Sequence, residues 1–269
     1  MGHEVVEWIT SYYSTLETLP VYPSTSSTAL RAALSQDVPE AGSDFASLLN
    51  LVRDVIFPGS RHNGHPRFFG YVASPGTPAT AFADLLASVL NANVTAWRSA
   101  PAATEVERLT VDWIKQIIGY SAEAEGVFVS GGSMANLCGI AAARQAKAPG
   151  NVTTAGCHAL GRPMRLYVSE EGHFSSRKAA GLLGIGRDNV RAIRVDARLR
   201  MDTDDLARAI EEDLVTGYLP FCIVASAGTV STGAMDPLDE VAEVAARFGL
   251  WMHVDACYGG FAALAPSQE

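Results

Sequence analysis

The sequence is short of several things that would have assigned it quickly. Its four cysteines, Cys138, Cys157, Cys222 and Cys257, include no CxxC pair. That removes the usual signs of a zinc site or a disulfide framework and suits reduced thiols in a cytoplasmic protein. No apolar run reaches the ~20 residues that a membrane helix needs. There is no long basic run, and the formal net charge is −9, which argues against nucleic acid or an anionic membrane as partner. Glu4 and Glu7 stand where a secretory leader would be basic and then apolar, so no signal peptide is expected. The run 181–186, Gly-Leu-Leu-Gly-Ile-Gly, does not match GxGxxG and follows no strand, so dinucleotide binding is discounted.

What remains is a chain of 269 residues, 48% hydrophobic, long enough for a sizeable core in one large domain with extra segments. Residues 4–19 have helical apolar spacing (Val5, Ile9, Tyr12, Tyr13, Leu16) that ends at Pro20 and Pro23. Residues 24–42, rich in Ser, Thr, Ala and Pro, are expected to be a connecting arm. Ser43 is expected to cap a helix over 44–56 that closes at Pro58-Gly59. Helices follow over 78–91 and 102–119, the second opened by Pro101 and buried along Val106, Leu109, Trp113 and Ile117. The opening third shows no strand signal and is expected to pack on something else, such as a second subunit.

From residue 126 the texture changes. Strands are predicted at 126–129, 165–169, 190–195, 221–226 and 250–254, and helices at 133–147, 174–183, 203–214 and 237–248, with a capped start at Met201-Asp202-Thr203-Asp204-Asp205. This alternation implies an α/β fold with a mostly parallel sheet and helices on both faces.

The chemistry gathers at predicted strand ends. Strand 250–254 delivers Asp255 ahead of Ala256-Cys257-Tyr258-Gly259-Gly260, and ligands of open α/β sheets sit beyond such ends. Ser130-Gly131-Gly132-Ser133 joins a strand to a helix; its outward amides and the Ser133 hydroxyl fit an anion cradle, and a plain tight turn equally well. It lacks the Walker lysine. Read as a nucleophile elbow it fails, because no histidine follows Asp255 to complete the order serine, acid, histidine. His173 also follows a strand, although alone such a histidine is more often a surface or capping residue. His253 and Asp255 share a strand face, but no further ligand supports a metal, and none is expected. The aromatics of His65-Pro66-Arg67-Phe68-Phe69-Gly70-Tyr71 could line a pocket; composition favours core filling. A carboxylate, an imidazole and a phosphate cradle in one crevice suit a phosphorylated heteroaromatic cofactor.

Val21-Tyr22-Pro23, the 65–71 segment, Trp97 through Pro101-Ala-Ala-Thr104-Glu105-Val-Glu107, Gly131-Gly132-Ser133, Gly172-His173, Ala227-Gly228-Thr229 and His253-Val254-Asp255-Ala256-Cys257-Tyr258 follow one another in a specific order. In that order and spacing the chain resembles the fold-type I, pyridoxal-phosphate-dependent group II amino-acid decarboxylases, especially the aromatic-L-amino-acid branch. The resemblance implies pyridoxal 5'-phosphate as cofactor and a homodimer whose N-terminal helices embrace the partner. It places Gly132 and Ser133 on the phosphate, His173 over the ring with a part in proton transfer, Thr229 near the cofactor, Asp255 on the ring nitrogen, and Cys257, at a position usually alanine, against the ring. Tyr71, Ser74 and Trp97 would lie near the substrate side chain.

On this reading, residues 1–95 form the dimer-embracing helical segment and 96–269 part of the cofactor-binding large domain, with the small C-terminal domain absent. The family's Schiff-base lysine lies in a His-Lys motif beyond the position of Glu269. Lys115, Lys147 and Lys178, the only lysines here, have no such context. The expected activity is decarboxylation of an L-amino acid, aromatic by the lean of its pocket residues, as part of a longer or split enzyme, with no turnover by this chain alone. The alternatives are aldehyde synthesis by oxidative decarboxylation, whose deciding residue falls in the absent catalytic loop, and a non-catalytic subunit that binds a complementary C-terminal chain.

Overall fold

A computed structural model describes residues 1–265, so the last four residues of the 96–269 segment lie outside it. The chain forms two compact units, Met1–Asn91 and Ala92–Glu269. The first is helical. Helix α1 (Gly2–Thr15) tightens into a 3-10 turn, Leu16–Thr18, ahead of Pro20. The expected connecting arm instead contains helix α2 (Ser27–Leu34). Ser26 caps it by accepting from the Ala29 amide, and the good formers Ala, Leu and Arg outweigh the Ser and Thr around them. Helix α3 (Phe45–Leu51) is capped by Asp44 rather than Ser43, because the carboxylate reaches both the amide and the hydroxyl of Ser47. A π-helical turn, Val52–Ile56, extends it. Helix α4 (Pro78–Leu90) starts with a Thr77–Thr80 capping box and stops at Asn91, in the left-handed region at φ 44°. Trp8, Tyr12 and Phe57 pack edge to face within this unit, with Phe57 4.3 Å from Trp8 and 5.2 Å from Tyr12.

The second unit opens with helix α5 (Pro101–Ile117), its proline in the first turn as expected. Its apolar stripe, expected to be buried, is not. Val106, Leu109, Trp113 and Ile117 are all exposed, since no sheet layer lies over them among the described residues. Residues 126–129, expected to be a strand, join no ladder. A strand needs a neighbour to bond to, and here the Phe128 amide donates to Glu107 Oε1 at 2.9 Å instead. Helices α6 (Gly132–Lys147) and α7 (Val152–Ala155) then lead into strand β1 (Met164–Ser169), helix α8 (Ser175–Leu182), strand β2 (Val190–Ile193), helix α9 (Thr203–Val215), strand β3 (Leu219–Ser226), helix α10 (Leu238–Phe248) and strand β4 (Trp251–Asp255). Strand β2 ends two residues before its predicted limit, where Val195 turns back to bridge Met201.

All three strand pairings are parallel, in the order β2-β1-β3-β4. Side chains alternate between the two faces of the sheet, except at a bulge opposite Arg165 and Leu166 where Phe221 and Cys222 join the same cluster. Leu166, Val168, Cys222 and Val224 pack against Ile140 and Ala143 of α6 and Ala179 and Ala180 of α8. Tyr167, Ile223 and Ala225 pack on the other face against Leu206 and Ile210 of α9 and Val241 and Ala245 of α10. The chain leaves β1 for β2 on one side and β3 for β4 on the other, so the direction of winding reverses between β1 and β3. That reversal opens a crevice at the strands' carboxyl ends, the usual ligand position in such sheets.

Candidate functional site

Helix α6 aims one stripe at the carboxyl end of the sheet. Asn136, Ile140 and Ala143 are its buried residues, at the spacing of one helical face. Ile140 and Ala143 join the core. Asn136, one turn nearer the helix start, meets the end of β4, where His253 and Asp255 point to the same side.

Asn136 Nδ2 donates to Asp255 Oδ2 and to Ser175 Oγ, both at 2.8 Å. Its Oδ1 lies 2.7 Å from His253 Nε2. Ser175 Oγ in turn lies 2.7 Å from His173 Nδ1. One buried amide thus ties the β4 carboxylate to the imidazole in the loop after β1. Burial holds the His253 imidazole below its usual pKa, against the opposing pull of the Asp255 charge. A neutral His253 therefore donates through Nε2–H. Its ring lies against the backbone at Gly139, where a Cβ would come within 2.5 Å of it, so only glycine fits there.

The turn before α6 has the form of an anion site. Gly131 sits at φ 86° as the residue before the helix, and its carbonyl accepts from the Met134 and Ala135 amides. The amides of Gly132 and Ser133 are among the first-turn donors that a helix cannot satisfy internally. A Cβ on Gly132 would stand 2.8 Å from Cys257 Sγ, so the turn and the segment after Asp255 are in direct contact. The third wall is Ala227-Gly228-Thr229. Ala227 donates to the Asp255 carbonyl and accepts from Gly259, both at 2.9 Å. Thr229 is buried, and its hydroxyl is 2.8 Å from that of Thr232.

The structure therefore brings Gly132, Ser133, His173, Thr229, Asp255 and Cys257 to the carboxyl ends of β1, β3 and β4 and the start of α6. A hollow of about 210 Å³ beside His173 is lined by Ser169, Glu170, Phe174, Arg177 and Ala192; Asp255 and Ser133 do not line it. Tyr71 and Ser74 belong to the first unit and Trp97 to the second. Tyr71 is exposed with φ 62°, and the Arg61 guanidinium lies 4.6 Å from its ring centre. Ser74 is exposed. Trp97 is half exposed, and its indole N–H donates to Glu105 at 2.7 Å.

None of the three lysines is tied into this network. The Lys115 amine donates to the carbonyls of Ala122 and Ala124, and the Lys147 amine to that of Gly249. Lys178 stands over the Phe174 ring on α8. Among the described residues no group of three or more metal-binding side chains comes together, and none of their helices is long and apolar enough to cross a membrane. Sequence reading missed Asn136 and Ser175. The available signal was an amide side chain one turn below Ser133, on a helix face otherwise apolar.

The class the fold defines is a parallel α/β layer that carries an aspartate on an edge strand, an imidazole tied to it through Asn136 and Ser175, and a glycine turn at a helix start. The comparisons name the family. Residues 28–269 match the pyridoxal-dependent decarboxylase conserved domain, and the chain belongs to that family. It is 36% identical over 264 residues to an aromatic-L-amino-acid decarboxylase of Bacillus atrophaeus, covering 98% of this chain and 53% of that protein. It is 36% identical to a 4-hydroxyphenylacetaldehyde synthase of Rhodiola rosea, covering 98% of this chain and 55% of the relative. A crystal structure of Oryza sativa TDC with PLP and tryptamine superposes with a TM-score of 0.88 at 32% identity, covering 98% of this chain and 58% of that one. The fold is that of the fold-type I large domain, and the chain spans about half the length of the curated relatives it matches.

Proposed function

We propose that this chain supplies the cofactor-holding half of an enzyme that decarboxylates an aromatic L-amino acid to its amine and CO₂. The observation that carries the reading is the Asp255 carboxylate, held at the end of β4 by Asn136 on the same polar chain as His173. The residues present fit pyridoxal 5'-phosphate: an acceptor for a protonated ring nitrogen, helix-start amides with no partner among the described residues, and a glycine turn whose backbone packs so closely on Cys257 that Gly132 has no room for a Cβ. When bound, that cofactor supplies an electron sink for the pair left as CO₂ departs.

The chain's own residues then have distinct tasks. Asp255 keeps a proton on the ring nitrogen by charge and hydrogen bonding. The amides of Gly132 and Ser133, with the Ser133 hydroxyl, bind the phosphate. His173 orients the ring by stacking and offers a proton position at its imidazole. Thr229 and Cys257 bound the ring's edges, with Cys257 crowding it more than alanine would. The family resemblance puts Tyr71, Ser74 and Trp97 near the substrate side chain. The amine that activates the substrate comes from a complementary segment, because Lys115 and Lys147 are tied to carbonyls elsewhere and Lys178 stands over Phe174. The assembly is a homodimer or a pairing with a complementary C-terminal chain, and it works in the cytoplasm. Likeness to an aldehyde synthase keeps oxidative decarboxylation as the second reading.

The first test is a titration of the chain with pyridoxal phosphate, followed by absorbance and by borohydride trapping with mass spectrometry. Saturable binding that Asp255→Ala and Ser133→Ala each weaken at least tenfold is expected, with no specific lysine adduct. Equal binding by wild type and Asp255→Ala would remove the assignment. A reduced adduct on Lys115, Lys147 or Lys178 accompanied by turnover would overturn the reading that the activating amine lies in another segment.

A further inference from the structure

We propose that Asn136 and Ser175 are positioning residues that set where the proton sits on His173, fixing the neutral ring as its Nε2–H tautomer. The inference rests on the cofactor-site reading above and extends it to two residues that this reading does not use. The argument is a count of donors and acceptors. An ionised aspartate only accepts, so the Asn136 atom 2.8 Å from Asp255 Oδ2 is the amide nitrogen. The opposite end, Oδ1, then faces His253 Nε2, which donates. The amide nitrogen has a second hydrogen, and it points at Ser175 Oγ, 2.8 Å away.

Ser175 Oγ is therefore an acceptor toward Asn136, and its single proton must go elsewhere. His173 Nδ1 is 2.7 Å from it. The Ser175 backbone amide also points at the same nitrogen, at 3.3 Å. Two donors aimed at one ring nitrogen require that nitrogen to carry the lone pair, so the ring proton sits on Nε2, which has no partner among the described residues. Ser175 is about 1% exposed and Asn136 about 3%. Water cannot easily substitute for either, and buried networks of this kind are strongly directional. The network thus links the Asp255 carboxylate to His173 through the orientation of one amide. A cofactor ring held by Asp255 would meet a histidine already presenting an N–H.

The test reads the tautomer directly and needs no cofactor. In the full chain labelled with ¹⁵N-histidine, long-range proton–nitrogen spectra distinguish the two ring nitrogens of His173. Wild type is expected to show Nε2 protonated and Nδ1 bare. Ser175→Ala keeps only the long backbone bond, and the tautomer ratio should fall by about tenfold, the worth of one hydrogen bond. Asn136→Ala frees the Ser175 hydroxyl to turn and should have the same effect. If Asn136→Ala does not fold, Ser175→Ala decides alone. A wild-type ring protonated at Nδ1, or a Ser175→Ala ring with an unchanged tautomer and an unchanged amide spectrum elsewhere, overturns the proposal. Pyridoxal phosphate binding is measured separately on the same samples. No saturable binding by the wild-type chain together with a responsive tautomer defeats the function reading and leaves this one standing; wild-type binding with an unresponsive tautomer defeats only this one.

Discussion

The two units of this chain have similar proportions of apolar residues and put them to opposite ends. In residues 1–91 only Leu16, His62 and His65 are buried, and none of α1 to α4 buries a residue. In the second unit, β3 runs six buried residues in succession, and Ile140, Leu206, Ile210 and Val241 are inaccessible around it. Helical periodicity is present in both, so periodicity alone does not make a core. A sheet offers two broad faces that gather several helices at once, whereas single helices cover little without a matching layer. The candidate site depends on this contrast, because Asn136 is placed by a helix whose next turns, at Ile140 and Ala143, are locked into the sheet.

The contrast breaks most readily at the middle of the sheet. Ile223→Ala removes a side chain enclosed by Leu206, Ile210, Val241 and their neighbours, and should cost about 2–5 kcal/mol. Urea unfolding followed by near-ultraviolet dichroism would measure it. A loss below about 1 kcal/mol would mean that the second unit is as loosely assembled as the first.

Next in size is Asp236. It is 3% exposed and accepts from the amides of Met201 and Ser226, both at 2.7 Å, so it pins the end of β3 from which Thr229 departs. Burial pushes its carboxyl pKa up, while the two amides pull it down. Asp236→Ala would leave two buried N–H groups unpaired at roughly 1–3 kcal/mol for each. Hydrogen exchange should show the Met201 and Ser226 amides losing protection first. Unaltered protection there would mean that the carboxylate is not what holds the strand end.

The parts of this architecture that could be read from sequence are those that depend on neighbours in the chain. The four strands of the sheet stood out because Leu, Val and Ile alternate or run together between turn residues, and α9 because Asp202 stands before it and accepts from the Asp204 and Asp205 amides. The segment 126–129 looked like a strand for the same local reason. Whether it pairs depends on a neighbour far along the chain, and no local pattern encodes that. The buried stripe expected on α5 failed likewise: Val106 and Trp113 lie on one side as predicted, but amphipathicity does not say what covers a face. Helix α2 was hidden because Ser and Thr, read as loop formers, include the very residue that caps it. At the site, Asp255 and the glycine turn were visible as strand-end chemistry. Asn136 was not, because its role exists only once α6 and β4 are side by side.

A pH series sharpens the comparison further. The imidazoles of His253 in the second unit and His62 in the first are both held below their ordinary value of 6.5, chiefly by burial. Between the depressed folded value and 6.5 the unfolded chain binds more protons than the folded one. Stability from these groups is therefore present above about pH 6.5 and declines as the pH falls through that window. His253→Gln should flatten the decline in the second unit and leave the His62 part untouched. A decline of unchanged slope would mean that His253 is not held neutral.

The smallest effect is expected on α4. Leu85, Leu86, Val89 and Leu90 are 58%, 66%, 76% and 78% exposed, so they hold nothing together within the described chain. In dilute solution, where no complex forms, Leu86→Ser should change the unfolding free energy by no more than about 0.5 kcal/mol. The same substitution distinguishes two kinds of exposed stripe. If one really faces water, a polar residue is neutral there. A stripe covered in solution by another chain would lose the transfer free energy of a leucine side chain, about 1.5–3 kcal/mol, and would lose it only at concentrations where the complex forms. A concentration-dependent loss at Leu86 would therefore show that the first unit, unlike the second, completes its core with residues from another polypeptide.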